Sequence, residues 1–119
     1  PDKSAEKLRL EFEQAAGAKI GVLIIDSHGR AWRNGTVGIT IGLAGLPGVV
    51  NRVGDLDLFG YELKATEIGA ADELAAGASL LMGQVDEGTP VIHARGFPYA
   101  LREASLGEML RVREKDMFR

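Results

Sequence analysis

The chain has 119 residues, enough for one domain and not two, and its 45% hydrophobic and 26% charged residues exclude a disordered tail. Lys and Arg number 14 against 17 Asp and Glu, a formal charge of −3 that offers no general attraction to phosphate backbones or anionic lipid, so neither nucleic acid nor membrane is an expected partner. Cys is absent, which removes disulfides, thiolate metal sites and Cys nucleophiles; no apolar run approaches the ~20 residues of a membrane span, and a cytoplasmic protein is expected.

Pro1 to Gly17 reads as an amphipathic helix, with Ala5, Leu8, Phe12 and Ala15 at helical spacing, Asp2 or Ser4 placed to cap it and Gly17 placed to end it. Lys19 to Ile25 is a β-branched apolar run suited to a strand buried on both faces and stopping at Asp26. Ser27 to Gly35 is polar and loop-like, and Val37, Ile39 and Ile41 alternate with Gly38 and Thr40 as in a strand. Gly42 to Val53 is apolar but broken by Gly42, Gly45, Pro47 and Gly48, so neither a long helix nor a regular strand suits it. Asp55 to Gly60 reads as a charged turn and Tyr61 to Ile68 as a strand. Ala70 to Met82 has the period of a helix, with Leu74, Ala78, Leu81 and Met82 on one side, Asp72 and Glu73 favouring its dipole and Gly83 at its end. A polar loop at Gln84 to Thr89, a short strand at Pro90 to Arg95, a weaker helix at Leu101 to Val112 interrupted by Gly107, and a charged tail complete the chain. The 16 glycines, spread singly among apolar residues, fit tight turns and close backbone approaches in an α+β fold with a mixed sheet and two or three helices.

Asp26 with Ser27 puts a carboxylate and a hydroxyl together after an apolar strand, a corner suited to a hard cation that keeps waters and phosphate oxygens as further ligands; an Asp accepting backbone amides in a turn is the simpler alternative. Arg30, Trp32 and Arg33 set two guanidinium forks around an aromatic face, able to hold phosphate or carboxylate groups, or else they are surface arginines that pair with acids and cover Trp32. His28 and His93 have no metal-ligand spacing, and among Asp55, Asp57, Glu62 and Glu67 nothing in the spacing selects a second metal ligand.

In order along the chain, PDKSAEKLR (1–9), IIDSHGRAWRNG (24–35), GITIGLAGLPGVV (38–50), GDLDLFGYELKATEIGAADELAA (54–76), LLMGQVDEGTPV (80–91), ARGFPY (94–99) and the closing EKDMFR resemble one family, the GTP-dependent coenzyme F-420-0 gamma-glutamyl ligases, which add glutamate to a deazaflavin redox coenzyme. The resemblance implies a protein about twice this length, of which this chain looks like the C-terminal half, with an unusual fold and an intertwined homodimer.

By the same resemblance, Asp26 and Ser27 correspond to ligands of a divalent cation, magnesium or manganese, and Gly83, Gln84, Val85, Asp86, Glu87, Gly88 and Thr89 to a loop that contacts GTP. Asp26, Arg30 and Arg33 are the expected catalytic residues, and the expected partners are GTP, L-glutamate and the deazaflavin coenzyme precursor. The implied reaction passes through an acyl phosphate on the coenzyme's carboxylate, which glutamate's amine then displaces. Relatives usually carry Asp-Thr and an aromatic where this chain has Asp26, Ser27 and His28, so the hydroxyl is kept and the local packing changes. The alternative is a non-catalytic, self-associating module of the same family.

Overall fold

A computed structural model describes residues 1–118. Helix α1 (Asp2–Ala16) leads into the hairpin of β1 (Val22–Arg30) and β2 (Arg33–Ala44); the two-residue strands β3 (Val50–Asn51) and β4 (Glu67–Ile68) follow, then helix α2 (Ala70–Met82) and 3-10 turns at Leu106–Met109 and Arg113–Lys115. The fold is α+β, and both two-stranded sheets are antiparallel.

Helix α1 ends as its sequence predicts: Gly17 takes the left-handed conformation (φ 65°) and donates its N–H to the carbonyl of Glu13 at 2.9 Å. Its start differs. Neither Asp2 nor Ser4 caps the helix; the Asp2 carboxylate accepts the N–H of Leu43 on β2 and of Leu106 in the first 3-10 turn, each at 3.0 Å, so it ties three segments together. Of the expected apolar face only Ala5 is buried. Arg9 joins Glu6 and Glu13 along the helix, and Glu13 also accepts the N–H of Ile20, which fixes the turn into β1. That amide foremost, with Arg9 adding to it, holds the Glu13 carboxyl below the usual carboxylate range.

Strand β1 does not stop at Asp26. It runs on through Ser27, His28 and Gly29 to Arg30, and the expected Ser27 to Gly35 loop shrinks to the connection at Ala31 and Trp32. Polar residues are tolerated because the ribbon has only two strands: Val22 to Ile25 are half-buried rather than enclosed on both faces, and beyond Ile25 the strand is exposed. A bulge between Ile24 and Ile25 leaves Ile41 unmatched on β2 just before Asp26 pairs with Ile39.

The glycine on β2 decides how α2 packs. A side chain at Gly38 would put its Cβ 2.4 Å from Ser79 Cβ and 2.9 Å from the Ala75 carbonyl, so only a bare backbone lets the helix lie this close. The buried stripe of α2 is therefore Ala71, Ala75 and Ser79, with Ala70, and not the expected side; Leu81 is exposed, while Leu74 packs against the core from its margin. Asp72, in the first turn, also accepts the N–H of Thr40 at 2.9 Å. The core is small, with Leu43, Leu46 and Ala71 at its centre and Leu23, Leu74, Phe97, Ala104 and Met109 packed around it.

Other expected elements are reduced. Of Tyr61 to Ile68 only Glu67–Ile68 pairs as a strand, with an isolated bridge between Leu56 and Glu62. The arm between β3 and β4 turns on Asp57, which accepts the N–H groups of Phe59 and Tyr61, and it presents a fully exposed Leu58. Pro90 to Arg95 finds no partner strand among the described residues, and in Leu101 to Val112 only the turn at Leu106–Met109 is helical. That turn is held by Glu108, whose carboxylate accepts the N–H groups of Gly48 and Val49 and the guanidinium of Arg102.

The folded chain exposes 8921 Å², about 2,700 Å² more than the roughly 6,200 Å² of a compact monomer of this mass. Its radius of gyration, 15.8 Å, likewise exceeds the ~13.5 Å expected for this length. No described helix is long and apolar enough to cross a membrane.

Candidate functional site

An open cleft of about 420 Å³ lies where the middle of the β1–β2 hairpin meets the end of α2. Its hairpin wall is Asp26, Ser27 and Gly38; the opposite wall is Ser79, Met82 and the loop that follows the helix, from Gly83 through Gln84, Val85, Glu87, Gly88 and Thr89. The corner and the loop, far apart in sequence, thus share one cavity. Asp86 does not line it. Arg30 and Arg33 lie beyond it, at the hairpin's end.

Each wall is positioned by identifiable bonds. Ser27 donates its backbone N–H to Oδ1 of Asp26 at 2.8 Å, which holds the carboxylate against the strand's own backbone. Both sit within the strand, not past its end, and the preceding bulge sets their aim. Across the cleft, Thr36 on β2 donates its hydroxyl to Oε1 of Gln84 at 2.5 Å, and Gln84 donates Nε2–H to Oγ of Ser79 at 3.1 Å. Gln84 thereby joins hairpin, loop and helix, and places the loop against the hairpin.

Glu87, expected only as one residue of the nucleotide loop, is the acid of the cleft's far wall. Its carboxylate folds back into its own loop, accepts the N–H of Val85 at 2.9 Å, and occupies the space beside Gly83 that any side chain there would fill. The Val85 amide foremost, with other N–H groups of the loop, holds the exposed Glu87 carboxyl below the usual carboxylate range. The Val85 N–H thus faces a negative oxygen at the mouth of the cleft. The signal in the sequence was Gly83 and Gly88 flanking an acid; spacing alone gave no reason to prefer it to Asp55, Asp57, Glu62 or Glu67. Those four lie elsewhere: Asp55 pairs with Arg52, Asp57 closes its turn, and none lines the cleft.

The donors of the cleft are oxygens: the carboxylates of Asp26 and Glu87, the Ser27 hydroxyl and the Gln84 amide. No three His, Cys, Asp or Glu among the described residues form a closed metal cage. An open set of one or two carboxylates suits a cation that takes the rest of its ligands from water and phosphate, so the residues present fit magnesium or manganese and do not fit a structural zinc.

Comparison with known proteins bears on the same residues. The family model for F420-0:Gamma-glutamyl ligase matches residues 1–96, which include both walls of the cleft. The coenzyme F420:L-glutamate ligase of Methanococcus maripaludis strain C6 is 50% identical over 119 residues, all of this chain and 48% of the relative. Those of Methanocaldococcus jannaschii (47%, all of this chain, 48% of the relative) and Archaeoglobus fulgidus (43%, all of this chain, 47% of the relative) align over the same extent. The chain spans about half the length of these relatives. With a family match over most of its residues and this level of identity along its whole length, the chain belongs to the F420-0:gamma-glutamyl ligase family.

Proposed function

We propose that the cleft is the phosphate and cation site of a ligase that joins L-glutamate to the deazaflavin coenzyme precursor F420-0 with GTP as energy source. The observation that carries the reading is the meeting of Asp26 and Ser27 with the Gly83 to Thr89 loop in one open, oxygen-lined cavity. The names of the relatives supply the glutamate and the coenzyme. GTP and the acyl phosphate are our assignment, carried over from the family resemblance, and the oxygen donors of the cleft suit such phosphate chemistry.

In this reading the loop amides from Gln84 to Glu87 receive the nucleotide's phosphates once they displace the Glu87 carboxylate, and Gln84 keeps the loop at a fixed distance from the hairpin. Asp26 and Ser27 hold magnesium or manganese on the hairpin wall, with Glu87 facing them. The cation, when bound, neutralises charge developing on the transferred phosphoryl group. The acceptor carboxylate attacks the γ-phosphorus and GDP leaves with the bridging oxygen, giving an acyl phosphate; glutamate's amine then attacks the acyl carbon, inorganic phosphate leaves, and the amine gives up a proton to form the amide.

Because the chain covers about half of its relatives' length, we assign it the cation and phosphate part of the site and assign turnover to the longer protein. The surplus of exposed surface supports association, with the rest of such a protein and with a second copy in a homodimer. We place the activity in the cytoplasm, where GTP and glutamate are available.

Calorimetric titration of GDP with manganese tests the assignment. The unsubstituted chain is expected to bind and Asp26→Ala to bind at least ten-fold more weakly; equal affinities, or no binding to either, would overturn it.

A further inference from the structure

The end of the β1–β2 hairpin breaks three local rules at once. Arg30 and Arg33 face each other as the last cross-strand pair, two like charges placed where opposition is unfavourable. Neither has an acidic partner among the described residues; Arg30 donates only to the carbonyl of Asn34, at 3.2 Å. Between them Trp32 takes φ 58°, the only left-handed non-glycine residue among those described, in a two-residue connection where Asn or Gly is the usual occupant. Its indole is 90% exposed, touched at a centroid distance of 5.7 Å by the tilted ring of Phe118 and otherwise open. Strain, repulsion and an exposed large ring in a four-residue stretch are what a binding site retains and a merely structural turn does not.

We propose that this tip binds the acceptor coenzyme: its planar deazaflavin ring stacks on Trp32 beside Phe118, and its phosphate is gripped between Arg30 and Arg33. The proposal rests on reading the cleft as the ligation site. A guanidinium pair without carboxylates is a ready receptor for a phosphate, and an indole face is the side chain best suited to a flat conjugated ring. The tip also lies on the same strand as the cleft. Asp26 is four residues from Arg30, about 13 Å along an extended strand, so the arginine side chains, reaching back along β1, bring the gripped phosphate toward the cleft. A guanine nucleotide has the same general chemistry, a flat ring bearing phosphate. We assign the tip to the coenzyme because the loop amides already provide for the nucleotide's phosphates.

Trp32 is the only tryptophan in the chain, so its fluorescence reports on this spot alone. Adding F420-0 to the chain, with absorbance corrected against free N-acetyltryptophanamide, is expected to quench the indole saturably. Arg30→Ala with Arg33→Ala is expected to weaken that binding at least ten-fold, and riboflavin, a similar ring without phosphate, is expected to bind at least ten-fold more weakly than F420-0. In calorimetry, Trp32→Ala is expected to lose ten-fold or more in F420-0 affinity while its melting temperature shows it folded, and Trp32→Phe is expected to recover part of the loss. Unchanged F420-0 affinity in both the arginine and tryptophan variants overturns the proposal. So does quenching by GDP at equal or lower concentration, which gives the tip to the nucleotide. The Asp26→Ala titration is independent of these readouts: if it loses GDP binding while the tip variants keep F420-0, the cleft reading stands and the tip reading falls, and the converse result separates them the other way.

Discussion

Charge is used in opposite ways at the two ends of the β1–β2 hairpin. Near the helices, carboxylates end on backbone amides: Asp2 on Leu43 and Leu106, Asp72 on Thr40, Glu108 on Gly48 and Val49. Each satisfies N–H groups that strand and helix ladders leave over, and each joins segments distant in the chain. At the tip, Arg30 and Arg33 have no such work, and Trp32 stays in solvent in a strained conformation. The contrast separates charges that tie distant segments together from charges that do not. The cleft lies between the two, with Glu87 on loop amides as in the first group and Asp26 near solvent as in the second.

Substitutions at the two ends should therefore differ in sign as well as size. The largest loss is expected in the core beside the stitched end: Leu43→Ala empties a fully buried position and should cost about 3 kcal/mol in denaturant unfolding. A loss of less than about 1 kcal/mol would mean that the small core is not what secures that end. Next, Gly38→Ala forces α2 off β2, because its Cβ meets Ser79 and the Ala75 carbonyl; a loss of about 2 kcal/mol is expected from overpacking.

Glu108→Gln should cost about 1 to 2 kcal/mol at neutral pH, since the amide loses the charge-assisted bonds from Arg102. Burial pushes this carboxyl up, but the Arg102 guanidinium and the amides of Val49 and Gly48 together outweigh it and hold the carboxyl below its usual value of 4.5. A depressed folded-state value means that the stabilisation is present above the unfolded value and is lost as pH falls through the folded one. Stability of the unsubstituted chain should thus decline below about pH 4.5, and the decline should be shallower in Glu108→Gln; parallel profiles would remove this carboxylate from the account. The smallest effect has the opposite sign. Trp32→Asn relieves the left-handed strain and should raise stability by about 1 kcal/mol, at the expense of F420-0 affinity if the tip binds it. A variant that is both less stable and unchanged in binding would return Trp32 to the group that holds the fold.

The helices were legible because period and terminators agree: α1 stops at Gly17 and α2 at Gly83. The strands were harder, and for a physical reason. A two-stranded ribbon encloses nothing on both faces, so the polar run from Asp26 to Arg30 could remain strand where sequence pattern suggested a loop. Pro90 to Arg95 has strand composition but no partner strand among the described residues, and composition cannot supply a ladder. The side of α2 that packs was misjudged because apolar size was weighed and closeness was not; the alanines and Ser79 win because Gly38 admits only small residues. At the site, spacing offered Asp26 and Ser27 as a corner and left the Gly83 to Thr89 loop as only a loop. Joining them came from family resemblance, which named Glu87 only as one member of the loop; its fold-back onto the Val85 amide is invisible in one dimension.

Gly38 reaches further than packing. It pairs with Ser27 and meets Ser79, four residues ahead of Gly83, so its α-carbon is where the hairpin wall touches the helix wall. Whatever enlarges that carbon acts as a wedge at the hinge side of the cavity and moves every donor of the loop away from Asp26 together. The width of the cleft is thus governed by a residue with no side chain to titrate or donate, and a variant at 38 would widen it with every lining residue still in place, which in the proposed reading weakens nucleotide and cation binding.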